Sequence, residues 1–212
     1  MTASLLELPD LEVDVALLRR FFRQERAFPE LRNPHLEPRV PDGVRAKARP
    51  SAVLMAVVDD PGGARMIVTR RHRNLRFAGH VCFPGGKIDA EDADAVSAAL
   101  REAEEEIGLS ASSVELLGRL GDYYTHAGFL IAPVVGVVSP PLALSANPAE
   151  VDAIYEISLE RVFRAASYRL AYLQKDRGHY SFYEKNVRIA GPTVSLMIGL
   201  YEALAAFVAR DA

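Results

Sequence analysis

Residues 101–109 read REAEEEIGL, with Glu102, Glu104, Glu105 and Glu106 crowded into five positions and Gly108 closing the run. Glycine is favoured just past a helix end, so the pattern predicts that these glutamates occupy the last turns of a helix over 93–107. That end of a helix carries partial negative charge and disfavours acids, and like charges at i,i+4 add a comparable cost of roughly a few tenths of a kcal/mol. A step of about 100° per residue puts Glu102, Glu105 and Glu106 on one arc, with Val96, Leu100, Ala103 and Ile107 as the buried stripe. Glu104 points elsewhere into solvent, and Arg101 lies beside Glu105, where it can steer the carboxylate. Two readings of the arc stay open at this point. It is a solvated acidic face, or it is a site where a hard divalent cation such as Mg²⁺ takes carboxylate oxygens together with substrate phosphates and reverses both penalties.

The second reading needs a phosphate site upstream. FPGGKIDAEDADAV (83–96) places Gly85 and Gly86 in a turn leading into the helix. Glycines let backbone approach a ligand and their amides can form an anion nest, although a simple tight turn reads the same way. A P-loop does not fit, because GxxxxGK[ST] would need glycine at Val81 and a hydroxyl residue at Ile88. RRHRNLR (70–76) carries Arg70, Arg71, Arg73 and Arg76 with His72. It is a solvated loop or a clamp for substrate phosphates, since arginine offers paired donors. Adjacent arginines on a strand point oppositely, so all four are not expected to bind together. Cys82, between apolar neighbours, reads as a buried structural thiol, and the five histidines (35, 72, 80, 126, 179) show no metal spacing. His80 and His126 read as structural rather than as lining a site.

The elements that must hold these residues are short strands around a few helices. Residues 11–24 read as an amphipathic helix, and 28–50 hold five of the thirteen prolines, which marks an extended connector. Residues 51–58 and 65–70 look like a hairpin, 81–86 a short strand into a glycine turn, and 114–125 and 129–138 two more strands. A loop over 139–152, a strand near 153–157, a short helix near 159–165 and a strand pair over 179–189 follow. The apolar segment 193–209 contains Glu202 and falls short of the roughly 20 apolar residues of a membrane span, so it reads as a buried helix. This mixture predicts an α/β or α+β sheet covered by helices, with 1–49 an N-terminal helix and Pro-rich extension packing on a domain over 50–212. Extension and C-terminal helix could pack in cis or form a homodimer. The net charge of −3 weakens a general nucleic-acid-binding reading. A single cysteine excludes an internal disulfide and suits the cytoplasm. The first twenty residues lack the basic start of a signal peptide.

Arg101, Glu102, Ala103, Glu105, Glu106, Gly108 and Leu109 match the second half of the Nudix hydrolase box, G-x5-E-x7-R-E-U-x-E-E-x-G-U with U bulky and apolar. With one extra residue allowed, Gly86 takes the glycine place and Asp92 the acid place. This longer spacing resembles the coenzyme A pyrophosphatase branch, through Phe83-Pro84-Gly85-Gly86-Lys87-Ile88-Asp89 and the upstream words Thr69, Arg71, Arg76 and Gly79. His72 stands where that branch has a small residue, Arg76 to Gly79 is one residue short, and Ala190-Gly191-Pro192-Thr193 replaces a Trp-Gly-Ala-Thr word. The resemblance covers roughly residues 50–205.

It implies a Nudix-like α/β/α sandwich with a mixed curved β-sheet flanked by helices. The implied activity is a metal-dependent pyrophosphatase that cleaves coenzyme A or acyl-CoA to 3′,5′-ADP and a 4′-phosphopantetheine. The alternatives are the same chemistry on NADH or ADP-ribose, or a Nudix domain that binds a nucleotide without cutting it. The implied metal ligands, for Mg²⁺ or Mn²⁺, are Glu102, Glu105, Glu106 and the Gly86 carbonyl, with Arg101 orienting a glutamate. Glu150, in a loop before a strand, is a candidate base or extra ligand; a surface acid is the plain alternative, and Glu102 or Glu105 could be the base instead. Candidate substrate-binding residues are Arg70, Arg71, Arg76, Gly85 and Lys87. The expected partner is a small nucleoside diphosphate substrate, not nucleic acid or a membrane.

Overall fold

A computed structural model describes residues 8–24, 27–174 and 177–211. Residues 1–7, and with them the start of the extension predicted for 1–49, lie outside the described residues. The fold is built on strand β1 (Arg49–Val58), which runs parallel to β7 (Phe129–Val138) in unbroken register from Arg49↔Phe129 to Val58↔Val138. β1 is apolar almost throughout because both its faces are buried. Ala52, Leu54, Ala56 and Val58 face one core cluster, and Met55 and Val57 the other.

The far edge of β1 is shared. β2 (Arg65–Arg71) pairs with it only at Val57↔Met66 and Val58↔Arg65, and then pairs along its whole length with β8 (Val151–Ser158). The predicted hairpin is therefore real but splayed. Into the wedge runs 81–87: β3 (Val81–Cys82) pairs with β2, Phe83-Pro84 crosses over, and β4 (Gly85–Lys87) pairs with β1. The glycine turn of the sequence is thus a strand crossing in mid-sheet.

Helix α1 (Val15–Phe22) and a short α2 (Asp42–Arg45) precede the sheet. Helix α3 (Ala95–Ile107) covers one face of it. Asp94 caps α3 reciprocally with Ser97, and Gly108 closes it at φ 68°. Its buried face departs from the predicted stripe. Ala98, Ala99, Ala103 and Ile107 are buried, while Val96 and Leu100 are only partly so. The three alanines let the helix lie close on β1 and β4, and that choice of face turns Glu106 inward.

The predicted strand 114–125 is two, β5 (Glu115–Arg119) and β6 (Tyr123–Tyr124), both on β7. The break faces Pro133, which has no N–H to give the ladder; Leu120 N–H donates to its carbonyl at 2.9 Å. The extension fills the gap. Leu31 N–H donates to Asp122 O at 2.9 Å, and a Cβ on Gly121 would fall on the Pro29 carbonyl.

The other face of the sheet carries α1 and α5 (Pro192–Asp211), with Phe21 edge-on to Phe207 at 5.5 Å. By length and composition α5 could cross a membrane, but it buries eleven of its twenty residues and is a core helix. Tyr201 Oη donates to Pro9 O at 2.9 Å, and Arg32 pairs with Glu202. A short α4 (Leu159–Val162) leads into a separate sheet of β9 (Tyr168–Gln174), β10 (Arg177–Glu184) and β11 (Val187–Ala190). β9 has no counterpart among the predicted strands.

Where the extension meets this small sheet, Leu36 and Gly178 exchange backbone hydrogen bonds of 2.8 and 2.9 Å. His35 is buried there and stacks on His179 with centroids 4.8 Å apart. Tyr180 N–H donates to its Nδ1 at 3.0 Å, which assigns the ring proton to Nε2, facing Gly191 O at 3.4 Å and Ser195 Oγ at 3.3 Å. Burial pushes the His35 pKa below its ordinary value. Beside it, Glu37 lies 3.5 Å from His126 Nε2 and 3.4 Å from His179 Nε2.

Candidate functional site

The helix face turned toward β4 is organised by Arg101. Its Nε and Nη2 clasp Asp92 in a fork at 3.0 and 2.9 Å, and Nη2 also donates to Lys87 O at 3.2 Å. Nη1 reaches Glu102 Oε1 and Glu105 Oε2, both at 3.1 Å. Asp92, held below its ordinary pKa by these bonds, fixes the guanidinium, and the guanidinium fixes the two glutamates. Each glutamate keeps a second oxygen that makes no hydrogen bond among the described residues.

The three glutamates of the arc differ in depth: the side chains of Glu105, Glu102 and Glu106 are 53%, 14% and 3% exposed. Glu104 is exposed. Glu102 rests directly on Gly86, where a Cβ would fall inside its carboxylate. Glu106 accepts from Gly85 N–H at 3.3 Å and lies 3.7 Å from Arg71 Nη1. Burial pushes its pKa up to about 7, against the pull of Arg71 and Gly85, and the charges of Glu102 and Glu150 push the same way. Burial also raises Glu102, with Glu105 and Glu150 adding to it.

Glu150 belongs electrostatically to this cluster, and the loop before β8 holds it there. Asn147 N–H caps Glu106 O and Ser145 N–H caps Ile107 O, each at 2.9 Å. Glu150 N–H bonds back to Asn147 O at 3.0 Å, and its own carbonyl accepts from His72 N–H at 2.8 Å. The free carbonyls at the negative end of α3 are thereby satisfied by neutral amides, and the same loop delivers an acid.

Among the described residues, no three acid, imidazole or thiol groups are already gathered at metal-binding spacing. The carboxylates are held by Arg101, Gly85 and Arg71 instead. The donor set nonetheless suits a hard cation. It offers carboxylate oxygens at graded depth, two of them free, around a buried Glu106 whose two partners lie at 3.3 and 3.7 Å and leave its ionised form under-compensated.

The remaining predicted residues divide. Arg71 reaches the cluster, and its buried Nε has no hydrogen-bond partner among the described residues. Arg70, across a bulge from Arg71 in the β8 pairing, turns to Asp152 at 4.0 Å and to the Tyr155 ring. Arg73 and Arg76 are exposed, as is Lys87. The amide of Gly85 is occupied by Glu106, so it offers no free anion nest here. Gly85 is a glycine because a Cβ at its φ of 154° would fall on the Ala52 carbonyl. Cys82 lies 3.7 Å from Thr69 Oγ1, and burial raises its pKa, which keeps the thiol protonated. His126 belongs to the Glu37 cluster, not to this one. The clasp of Arg101 by Asp92 is the feature that residue-type reasoning missed, because nothing in a nine-residue separation announces a contact.

Residues 48–174 match the NUDIX domain family. The chain is 36% identical over 154 residues to a Photorhabdus laumondii protein named "Uncharacterized Nudix hydrolase NudL", a match spanning 70% of this chain and 81% of that protein. An Escherichia coli K12 protein of the same name is 38% identical over 120 residues, spanning 57% of this chain and 62% of its own length, which is under two thirds. Among solved structures, a C. elegans Ap4A hydrolase binary complex superposes with a TM-score of 0.49 at 15% identity, over 76% of this chain and 96% of that one.

Proposed function

The chain belongs to the NUDIX domain family and is a Nudix hydrolase, and on that premise we propose that it hydrolyses the diphosphate bond of coenzyme A or acyl-CoA with the help of Mg²⁺ or Mn²⁺. The observation that carries the reading is the carboxylate cluster of Glu102, Glu105, Glu106 and Glu150, set on Gly86 and oriented by Arg101. Glu102, Glu105, Glu106 and the Gly86 carbonyl would hold the cation, which when bound neutralises the diphosphate and makes water a stronger nucleophile. Everything else is the work of the chain.

Arg101 keeps Glu102 and Glu105 facing one way and leaves each an oxygen for a ligand. Arg71, already turned into the cluster, is placed to meet a phosphate oxygen; Arg76 and Lys87, both exposed, are further candidates for substrate phosphates, whereas Arg70 is turned to Asp152. Glu150 is the candidate to take the proton of the attacking water, with Glu102 the alternative. The water oxygen forms a new bond to phosphorus, one P–O bond of the diphosphate bridge breaks, and the products are 3′,5′-ADP and a 4′-phosphopantetheine. Alignment and charge neutralisation supply most of the catalysis in such a step.

The coenzyme A assignment draws its support from Thr69, Arg71, Arg76 and Gly79 ahead of Phe83-Pro84-Gly85-Gly86. A panel of coenzyme A, acetyl-CoA, ADP-ribose and NADH, each with Mg²⁺ or Mn²⁺ and with products separated by chromatography, tests it. Release of 3′,5′-ADP from coenzyme A is expected. Cleavage of ADP-ribose or NADH with coenzyme A untouched would reject the assignment but keep the chemistry; no cleavage of any member would reject both.

A further inference from the structure

The loop between β2 and β3 rises from the wall of the site. Its feet are tied to residues that face the carboxylates: His72 N–H donates to Glu150 O at 2.8 Å and Gly79 N–H to Arg71 O at 3.0 Å. At its crest Phe77 has φ 62°, the left-handed region. A residue with a bulky side chain adopts that region at a cost on the order of 1 kcal/mol. Strain of this kind persists where the surroundings or the function repay it, and burial does not: Phe77 is 42% exposed.

The ring keeps particular company. The Arg76 guanidinium lies 4.7 Å from its centroid, and the His80 ring sits 5.9 Å away, tilted by 40°. Arg70 and Arg71 each have a carboxylate within 4.0 Å, whereas among the described residues Arg76 has none within that distance. An exposed aromatic face backed by a cation without an acid partner is suited to a flat heteroaromatic base that carries a phosphate nearby. Arg76 to Gly79 is also one residue shorter than the signature it resembles, and Phe77 lies within that shortened stretch.

We propose that Phe77, backed by Arg76, is the base-stacking and specificity-determining element of the substrate site. Its open ring face takes the purine of the nucleoside diphosphate derivative, and Arg76 takes a phosphate borne on that nucleoside. The proposal rests on the hydrolase reading above and deepens it. Stacking of a base on an aromatic side chain typically changes affinity by about tenfold or more.

The test separates binding from turnover. Calorimetric titration of 3′,5′-ADP and of 5′-AMP, without divalent cation, is done on the wild type and on Phe77→Ala, Phe77→Trp, Phe77→Gly and Arg76→Ala. Phe77→Ala should weaken both nucleotides about tenfold, and Phe77→Trp should restore binding. Arg76→Ala should remove most of the preference for 3′,5′-ADP over 5′-AMP. Phe77→Gly releases the backbone strain, so it should bind as poorly as Phe77→Ala with no loss of Tm, an outcome that a purely structural role for the ring would not produce. On whichever substrate of the panel is cut, Phe77→Ala should raise KM more than it lowers kcat. Equal nucleotide affinity in wild type and Phe77→Ala, or no nucleotide binding by the wild type, would overturn the proposal. The first of these leaves the hydrolase reading standing, and a panel without any cleavage removes that reading whatever the titrations show.

Discussion

Two clusters of ionisable side chains in this molecule are near mirror images in chemistry. On α3 and the strand crossing, carboxylates gather round a cation: Asp92, Glu102 and Glu105 all bond Arg101. Where the extension meets the small sheet, imidazoles gather near an anion: His126 and His179 both lie within 3.5 Å of Glu37, with His35 stacked behind. The difference lies in what is left over. His35 has a neighbour for each ring nitrogen, whereas Glu102 and Glu105 keep idle oxygens and Glu106 is buried with weak compensation. The histidine cluster, being satisfied, joins pieces of chain; the acidic one is left short of positive charge, which is what the proposed cation site requires.

The sharpest way to break the comparison is to remove the unsatisfied charge. Glu102→Gln and Glu106→Gln should each cut turnover by about 1000-fold, the several kcal/mol that cation-assisted charge stabilisation supplies. Tm should hold, because the Glu106→Gln variant buries a neutral amide where the wild type buries an ionisable group. Near-normal turnover in both variants would remove the ligand assignment. Asp92→Asn frees Arg101 without touching the glutamates, and a loss of about 10–100-fold in kcat or metal affinity is expected of such a supporting residue; cation titration checks it. The two glycines of the crossing should part company. Gly86→Ala displaces the flexible Glu102 carboxylate and should lose activity with a nearly normal melt, while Gly85→Ala meets the backbone of Ala52 and Val53 and should lower Tm first.

Stability against pH should have opposite slopes at the two clusters. The folded protein holds the Glu106 proton up to about pH 7, above the ordinary carboxyl value of 4.5. That contribution is therefore full below 4.5 and is lost as pH rises toward 7, by up to ~3 kcal/mol, in protein treated with chelator. Mg²⁺ at pH 7 should restore it, and Glu106→Gln should flatten the slope. His35 is the reverse: its folded pKa lies below the ordinary 6.5, so its contribution is present above 6.5 and is lost as pH falls. His35→Gln should flatten that acid limb in melts at pH 5 and pH 7. The smallest effect belongs to Glu37→Gln, which loosens half-exposed pairs and should cost at most about 1 kcal/mol by denaturant titration.

The α3 helix was legible because Gly108 marks its end and a three-and-four spacing gathers Glu102 and Glu106; its start falls at Ala95 rather than at 93, because Asp94 and Ser97 cap each other there. Which apolar residues face the sheet was less so. Large Val96 and Leu100 read as core, yet the nearness of β1 and β4 selects the alanines, and only tertiary distance carries that information. The break between β5 and β6 depends on Pro133 in another strand, and β9 is defined by its pairing with β10. The histidine cluster joins positions 35, 126 and 179, so no local pattern could show it. Of the arginines, the run at 70–76 was visible, and so was the alternation that sends neighbours to opposite faces; that Arg71 faces the carboxylates and Arg70 faces Asp152 follows from the pairing of β2 with β8, which no local pattern shows.

The packing of the extension also bears on how the molecule comes to be. Pro9 is held by Tyr201, Phe21 by Phe207 and Arg32 by Glu202. Contacts of such sequence separation close late and slow the search for the native state. On an emerging chain, Phe28 and β5 cover only part of the apolar face of α1, and the rest stays open until the residues of α5 have been made. That interval is when the nascent protein is most exposed to aggregation, and a chaperone that shields α1 during it would act on yield without touching the chemistry of the site.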